Sequence, residues 1–365
     1  MRQNLNIRRV LTPQTEHYNN IGQVWLPYLM YFNSPRYSSD VVNTDSYGFR
    51  ITYKGLNRVE DFSNINGIPT CLLIGGSFVF GLGATNDRNT IPTVMNANTD
   101  CLWLNFGGRA LNSTQEFLLF QFFHQQIRCI KKIVILSGLN NLMLHYLSGS
   151  RQGLGPFFFQ NEFDDKMNIG FMPKKSRIAK AILYPFFGHK IDYARISARD
   201  IRKYLFKKER QWGAGKKNHC AAVALGQVED GREAILHLFS RDIANWRLFT
   251  KTMGIDLYYV LQPFSNWIDK ESSKEEEMLF KHFDNLPGVI WEIITNKLSS
   301  DLYKWFLPKI KDICTLNGVN FFDMNSELSN LQLDGKWLFV DRAHCTDDGY
   351  RIVAKILEEK TAKIQ

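Results

Sequence analysis

The chain has 365 residues, 44% hydrophobic and 22% charged, with a formal net charge of +9, which describes a globular protein able to bury a full core. No run approaches the roughly 18 apolar residues of a membrane-crossing helix, and Met1–Val10 lacks the apolar stretch of a secretory leader, so neither is expected. The charge is concentrated: between Lys166 and Lys217 fifteen Lys and Arg stand against three acids, a local +12 that leaves the rest of the chain at −3.

Residues 1–69 are mixed and aromatic, and read as an N-terminal extension packed on the core. Within them Asn43-Thr-Asp-Ser-Tyr-Gly-Phe-Arg50 is a turn leading into a short strand, Phe49 to Tyr53. From Cys71 the pattern becomes regular. Strands are expected at Cys71–Ile74, Cys101–Phe106, Lys132–Ser137, Ile255–Leu261 and Val319–Asp323, several of them ended by glycine or proline. Helices are expected between them at 89–98, 113–130, 229–253, 272–283, 296–316 and 347–360. Ser113 or Thr114 is the expected cap of the second. Strands alternating with helices at this spacing predict a flavodoxin-like three-layer α/β/α sandwich around a five-stranded parallel sheet. Its catalytic-type domain comprises residues 70–147 and 221–365.

Residues 148–220 interrupt the pattern as a basic, aromatic insert. A basic helix over Arg195–Arg210 reads either as a solvated helix packed on the body or partly disordered, or as one presenting Arg199, Arg202, Lys203, Lys207 and Lys208 to an anionic glycan, a membrane surface or an acidic protein. Nucleic acid ranks last among such partners, because the aromatic residues cluster as Phe157-Phe-Phe159 and do not interleave with the basic ones. The six cysteines, at 71, 101, 129, 220, 314 and 345, include no C-x-x-C pair. Without zinc spacing, an H-E-x-x-H or a phosphate loop, no metal or cofactor is expected, and the cysteine usage suits a cytoplasmic setting, at most peripheral at the membrane.

Three strand ends carry chemistry. Gly75-Gly76-Ser77 delivers a serine at the C-terminal edge of the first strand, where open α/β sheets place their sites. Ser137-Gly138-Leu139-Asn140-Asn141 ends the third strand with side-chain amides able to donate to an oxyanion or to cap a helix. Asn105-Phe-Gly107-Gly108-Arg-Ala110 ends the second, its backbone N–H groups facing the same edge. The fourth block, Asp341-Arg-Ala-His344, lies between the last strand and the last helix. There a carboxylate three residues before a histidine can accept from Nδ1–H and leave Nε2 as a base. Cys345 reads as a small packing residue and His145 as a surface helix residue.

These blocks, in this order, resemble the SGNH (GDSL-like) hydrolase family over roughly residues 70–140 and 255–360. The resemblance implies Ser77 as nucleophile, His344 as base and Asp341 as its orienting partner. The oxyanion hole it implies is made by the N–H groups of Ser77 and Ala110 and the amide of Asn140, with Gly76, Gly107, Gly108, Gly138 and Asn141 supporting the turns. Three positions depart from the family: Gly76 and Asn141 where aspartate is usual, and Ala110 where the oxyanion glycine falls. An alanine N–H serves there if its φ/ψ is accessible, whereas a required positive φ impairs the hole. The implied activity is a serine-dependent acyl-ester hydrolase, an esterase or deacetylase acting on an acylated small molecule, glycan or glycolipid. An O-acyltransferase using the same site and a non-catalytic SGNH-like binding module are the alternatives.

Overall fold

The five apolar runs form one sheet in the computed structural model: β1 Thr70–Gly75, β2 Leu102–Gly107, β3 Ile130–Ser137, β4 Asp256–Leu261 and β5 Asn320–Asp323. Their order is β2-β1-β3-β4-β5, with every pair parallel. Every residue of β1 and β2 is buried, as required of strands covered on both faces. Alternate residues feed two separate cores. Leu72, Ile74, Leu104, Phe106, Ile133 and Ile135 enter one, while Cys71, Leu73, Trp103, Val134 and Leu136 enter the other.

Nine helices flanking or joining these strands carry labels here: α1 Ser77–Phe80, α2 Ile91–Asn98, α3 Ser113–Phe123, α4 Leu139–Ser148, α5 Arg232–Met253, α6 Lys274–Asp284, α7 Ser300–Leu316, α8 Met324–Ser329 and α9 Asp347–Thr361. The first core is completed by Phe120 of α3, Leu142 of α4, Phe239 and Trp246 of α5 and Phe306 of α7. The second takes Phe78 of α1, Met95 of α2, Leu328 of α8 and Val353 of α9. Each such side chain contributes about 1.5–3 kcal/mol by leaving water, and the result is a three-layer α/β/α fold.

The described residues are 7–61, 65, 67–148, 157–159, 162–163 and 232–362. The chain divides into two units, Met1–Phe158 with Asp230–Gln365, and Phe159–Glu229. The expected helix over 195–210, with Arg199, Arg202, Lys203, Lys207 and Lys208, lies outside the described residues. Among the described residues no helix is long and apolar enough to cross a membrane.

Several expected boundaries move for local reasons. Helix α3 is capped by Asn112 and not by Ser113 or Thr114. The Asn112 side chain accepts from the Gln115 N–H at 2.9 Å, and the Asn112 N–H in turn donates to the Gln115 side-chain oxygen at 3.2 Å. The same helix stops at Phe123, where a short 3₁₀ turn at His124–Gln126 leads toward β3. In the N-terminal region Arg50 only bridges Thr44, and the strand begins at Thr52, paired through Lys54 with Asn57–Val59. A second hairpin, Gln23–Leu26 with Met30–Asn33, has no counterpart in the sequence reading.

Helix α1 is one turn long and sits against β2 with no room to spare. A Cβ added to Gly107 would lie 2.2 Å from the Phe80 nitrogen and 2.7 Å from its Cα, both backbone atoms that cannot rotate away. Gly107→Ala is therefore expected to destabilise the protein by about 2–3 kcal/mol, read as a lower urea midpoint. A glycine-like midpoint in that variant would show that α1 is free to shift.

Candidate active site

In the sheet β1 and β3 are neighbours, and the chain leaves β1 toward β2 on one side and β3 toward β4 on the other, which opens a crevice at their C-terminal ends. Ser77 is the first residue of α1 at that crevice and stays partly accessible, although Gly76 and Phe78 on either side are buried. Its Oγ lies 2.7 Å from Nε2 of His344, 267 residues away. On the other side of the ring, Nδ1 is 2.9 Å from both Asp341 carboxylate oxygens. The carboxylate fixes Nδ1 as the protonated nitrogen, which leaves the Nε2 lone pair for the Ser77 hydroxyl. Asp341 and His344 side chains are each 15% exposed.

The Asp341–His344 turn organises itself. Asp341 Oδ1 accepts from the N–H groups of Ala343 at 2.8 Å and His344 at 2.9 Å. Burial alone would raise the Asp341 carboxyl. The attraction of the His344 ring, its hydrogen bond and those two N–H groups together hold it below the ordinary carboxylate range. The base of the turn is a pair of short antiparallel bonds, Val340 N–H to His344 O at 2.9 Å and Thr346 N–H to Leu338 O at 2.8 Å. Cys345, 1% exposed, packs beneath, and burial pushes its thiol well above the ordinary cysteine range.

Three donors in the turns that follow β1, β2 and β3 keep a hydrogen unclaimed among the described residues. Among the described residues the backbone N–H groups of Ser77 and Ala110 donate to no acceptor. One amide hydrogen of Asn140 goes to the Leu111 carbonyl at 2.7 Å, leaving the other unclaimed among the described residues. The Asn140 amide lies against the Gly76–Ser77 turn: a Cβ on Gly76 would come within 2.6 Å of its Nδ2. Gly108 closes the neighbouring turn by donating to the Gly75 carbonyl at 3.0 Å, and Gly138, at φ +119°, makes the turn out of β3.

Ala110 has φ +59°, in the left-handed region. The position does require a positive φ, and alanine adopts it at a cost of about 1–2 kcal/mol. Its carbonyl is held by the Tyr31 hydroxyl at 2.5 Å, from a side chain 1% exposed. Asn141 does not face the serine. Its Oδ1 accepts from the Ser113 N–H at 2.9 Å and its Nδ2 donates to Ser113 Oγ at 2.8 Å, joining α4 to the start of α3.

Three supporting residues were not read from the sequence. Arg50, fully buried, pairs with Asp87 at 2.7 Å and donates to the Phe80 and Gly81 carbonyls at 3.1 and 2.8 Å, fastening the end of α1. Arg109 donates to Asn33 and to the Tyr18, Ile21 and Gly22 carbonyls, holding the N-terminal segment beside Ala110. Glu116 reads as a first-turn helix acid, yet it is fully buried and accepts from Ser137 Oγ at 2.7 Å. Each has partners distant in the sequence, which no local motif announces. Among the described residues no group of three or more His, Cys, Asp or Glu could hold a metal ion.

No family model and no curated protein matches the sequence. Among solved structures, the chain is similar to one described as a "putative acylhydrolase" from Bacteroides fragilis NCTC 9343. The identity is 11% and the TM-score 0.39, over 82% of this chain and 97% of that one.

Replacing Ala110 by glycine removes the left-handed strain but makes the unfolded chain more flexible. The net expectation is a gain of about 0.5–1 kcal/mol, seen as a raised urea midpoint; an unchanged or lower midpoint would show that Tyr31 has already relieved the strain. Glu116 yields a second expectation. Burial, against the Ser137 bond and with the charge of Asp242, pushes its carboxyl up to about 8. A raised folded-state value means that its stabilising contribution is complete below about pH 4.5, declines as pH rises and is gone above about 8. Glu116→Gln should therefore flatten the fall in stability between pH 5 and 8, measured as urea midpoints at three pH values. A wild-type slope retained in the variant would place the titration elsewhere.

Proposed function

We propose that this protein is a serine-dependent acyl-ester hydrolase of the SGNH type. The observation that supports it is the continuous chain Ser77 Oγ, His344 Nε2, His344 Nδ1, Asp341, with contacts of 2.7 and 2.9 Å at the sheet's C-terminal edge. Ser77 attacks the acyl carbonyl while its proton passes to His344 Nε2. The charge that develops on the carbonyl oxygen is met by the N–H groups of Ser77 and Ala110 and by the Asn140 amide. One such donor typically contributes about 3–4 kcal/mol to the transition state. Collapse expels an alkoxide that takes the proton from His344, leaving an acyl ester on Ser77. Water, deprotonated by the same histidine, then releases the acid and restores the serine.

An acylated small molecule or glycan is the substrate class this chemistry suits, since an ester needs no metal-bound water or cofactor to be cleaved in this way. A fluorophosphonate probe with p-nitrophenyl acetate turnover tests the reading. Stoichiometric labelling at Ser77 is expected, together with a loss of about 10⁴-fold or more in turnover for Ser77→Ala. Folded wild-type protein that takes no label, or a Ser77→Ala variant that keeps turning over, would instead favour a non-catalytic binding module.

A further inference from the structure

Arg342 lies between Asp341 and His344, and no step of the hydrolysis uses it. Its guanidinium grips the C-terminal end of α6: Nε donates to Asp284 Oδ1 at 2.8 Å and Nη2 to Asp284 Oδ2 at 2.5 Å. This is the two-pronged fork that only arginine offers a carboxylate. Its Nη1 donates to Asn266 Oδ1, and its plane lies over the Phe280 ring, 4.6 Å from the centroid. The Arg342 carbonyl accepts from the Ser265 N–H at 2.9 Å. Asp284 takes a further bond from Thr295 Oγ1 at 3.1 Å. The pair is mostly covered, at 18% and 26% exposure. The Arg342 hydrogen bonds hold the Asp284 carboxyl below the ordinary range, against the opposing pull of burial.

The turn thus has two anchors that do different things. Its base is fixed without Arg342, by the antiparallel bonds described above and by Glu276, whose Oε1 accepts from the N–H groups of Leu338 at 2.8 Å and Phe339 at 3.0 Å. The Asp341 side chain sets the local shape of the turn. Neither fixes how its tip is aimed, and Arg342 is the residue that ties the tip to α6 and to the turn after β4. We propose that the Arg342–Asp284 pair is a positioning device, aiming the Asp341–His344 turn so that Nε2 meets Ser77 Oγ. It acts through His344 and touches no substrate. The inference rests on the hydrolase reading for its kinetic consequence, while the aim of the ring is a property of the fold.

The test compares wild type with Asp284→Asn, Arg342→Gln and Arg342→Lys. Thermal midpoints should move by no more than about 3 °C, because the base of the turn stays anchored. The second-order rate of fluorophosphonate labelling should fall about 10- to 100-fold in the Asn and Gln variants, still reaching one label per chain. Arg342→Lys, which keeps the charge and loses the fork, should fall between them and wild type. Labelling rates equal to wild type in both Asp284→Asn and Arg342→Gln would overturn the proposal, as would a rate loss matched by the fraction unfolded. If wild-type protein takes no label, the hydrolase reading fails, and the positioning is then read from the downfield proton resonance of His344 Nδ1–H. Broadening or loss of that signal in folded Asp284→Asn supports the aim being set by the pair; an unchanged signal rejects it.

Discussion

The buried guanidinium of Arg50 is the interaction on which the N-terminal region and helix α1 both depend. A charge removed from water costs several kcal/mol unless its hydrogens are satisfied. Here they reach Asp87, the Tyr18 hydroxyl and the carbonyls of Val41, Phe80 and Gly81. Asp87 is shared in turn: it accepts from the Asn43 backbone at 3.2 Å and from its side chain at 2.7 Å. Three segments that contribute no strand to the main sheet are thereby joined at one ion pair: residues 18–50, the end of α1 and the loop before α2. Removing either charge would strand the other in an apolar site, so the segments hold together or fail together.

The loop after α1 is fastened from the opposite direction as well. Asp347, three residues past His344, accepts from the Thr85 N–H at 2.8 Å and from the Asn89 amide at 2.8 Å. The Tyr350 hydroxyl donates to the Leu82 carbonyl at 2.7 Å. Segments bearing Ser77 and His344, 267 residues apart in sequence, are thus cross-linked on the flank of the short contact between them. Such rigidity matters chemically, because a misplacement of about 1 Å between nucleophile and base can cost about 100-fold in rate.

The sheet was legible because each strand is a continuous apolar run ended by a turn residue, and its observed bounds differ from the expected ones by at most two residues. Helix ends were less so. Asn112, Ser113 and Thr114 can all cap, and only the return bond from Gln115 selects the first. The hairpin at residues 23–33 has four-residue strands, one of them half-buried throughout, too short for a period to register. In the candidate site, Ser77 and Asn140 sit in compact motifs at strand ends and Asp341 and His344 in one compact turn before the last helix, and the structure brings Ser77 and His344 together. Arg50, Arg109, Glu116 and the Arg342–Asp284 pair were not legible, because what gives each its role is a partner placed by the fold.

The same dependence on distant partners explains two residues that depart from the resemblance. Asn141 stands where an aspartate is usual, and its surroundings would not suit one. Ser113 Oγ already gives its proton to Asp242 at 2.5 Å, so the neighbour at 141 must donate to that oxygen, which a carboxylate cannot do. A second carboxylate would also face Asp242 across one hydroxyl. Ala110 is the mirror case. Its left-handed backbone is strained, but the Tyr31 hydroxyl on its carbonyl and the Asn112 cap two residues on fix the turn from both sides. Burial raises the Tyr31 hydroxyl, which keeps it a donor. A glycine would occupy that turn without strain, though with more freedom to leave it. In this chain the neighbours hold the turn against the strain that the methyl group imposes, so the backbone at 110 keeps its left-handed conformation through tertiary contacts.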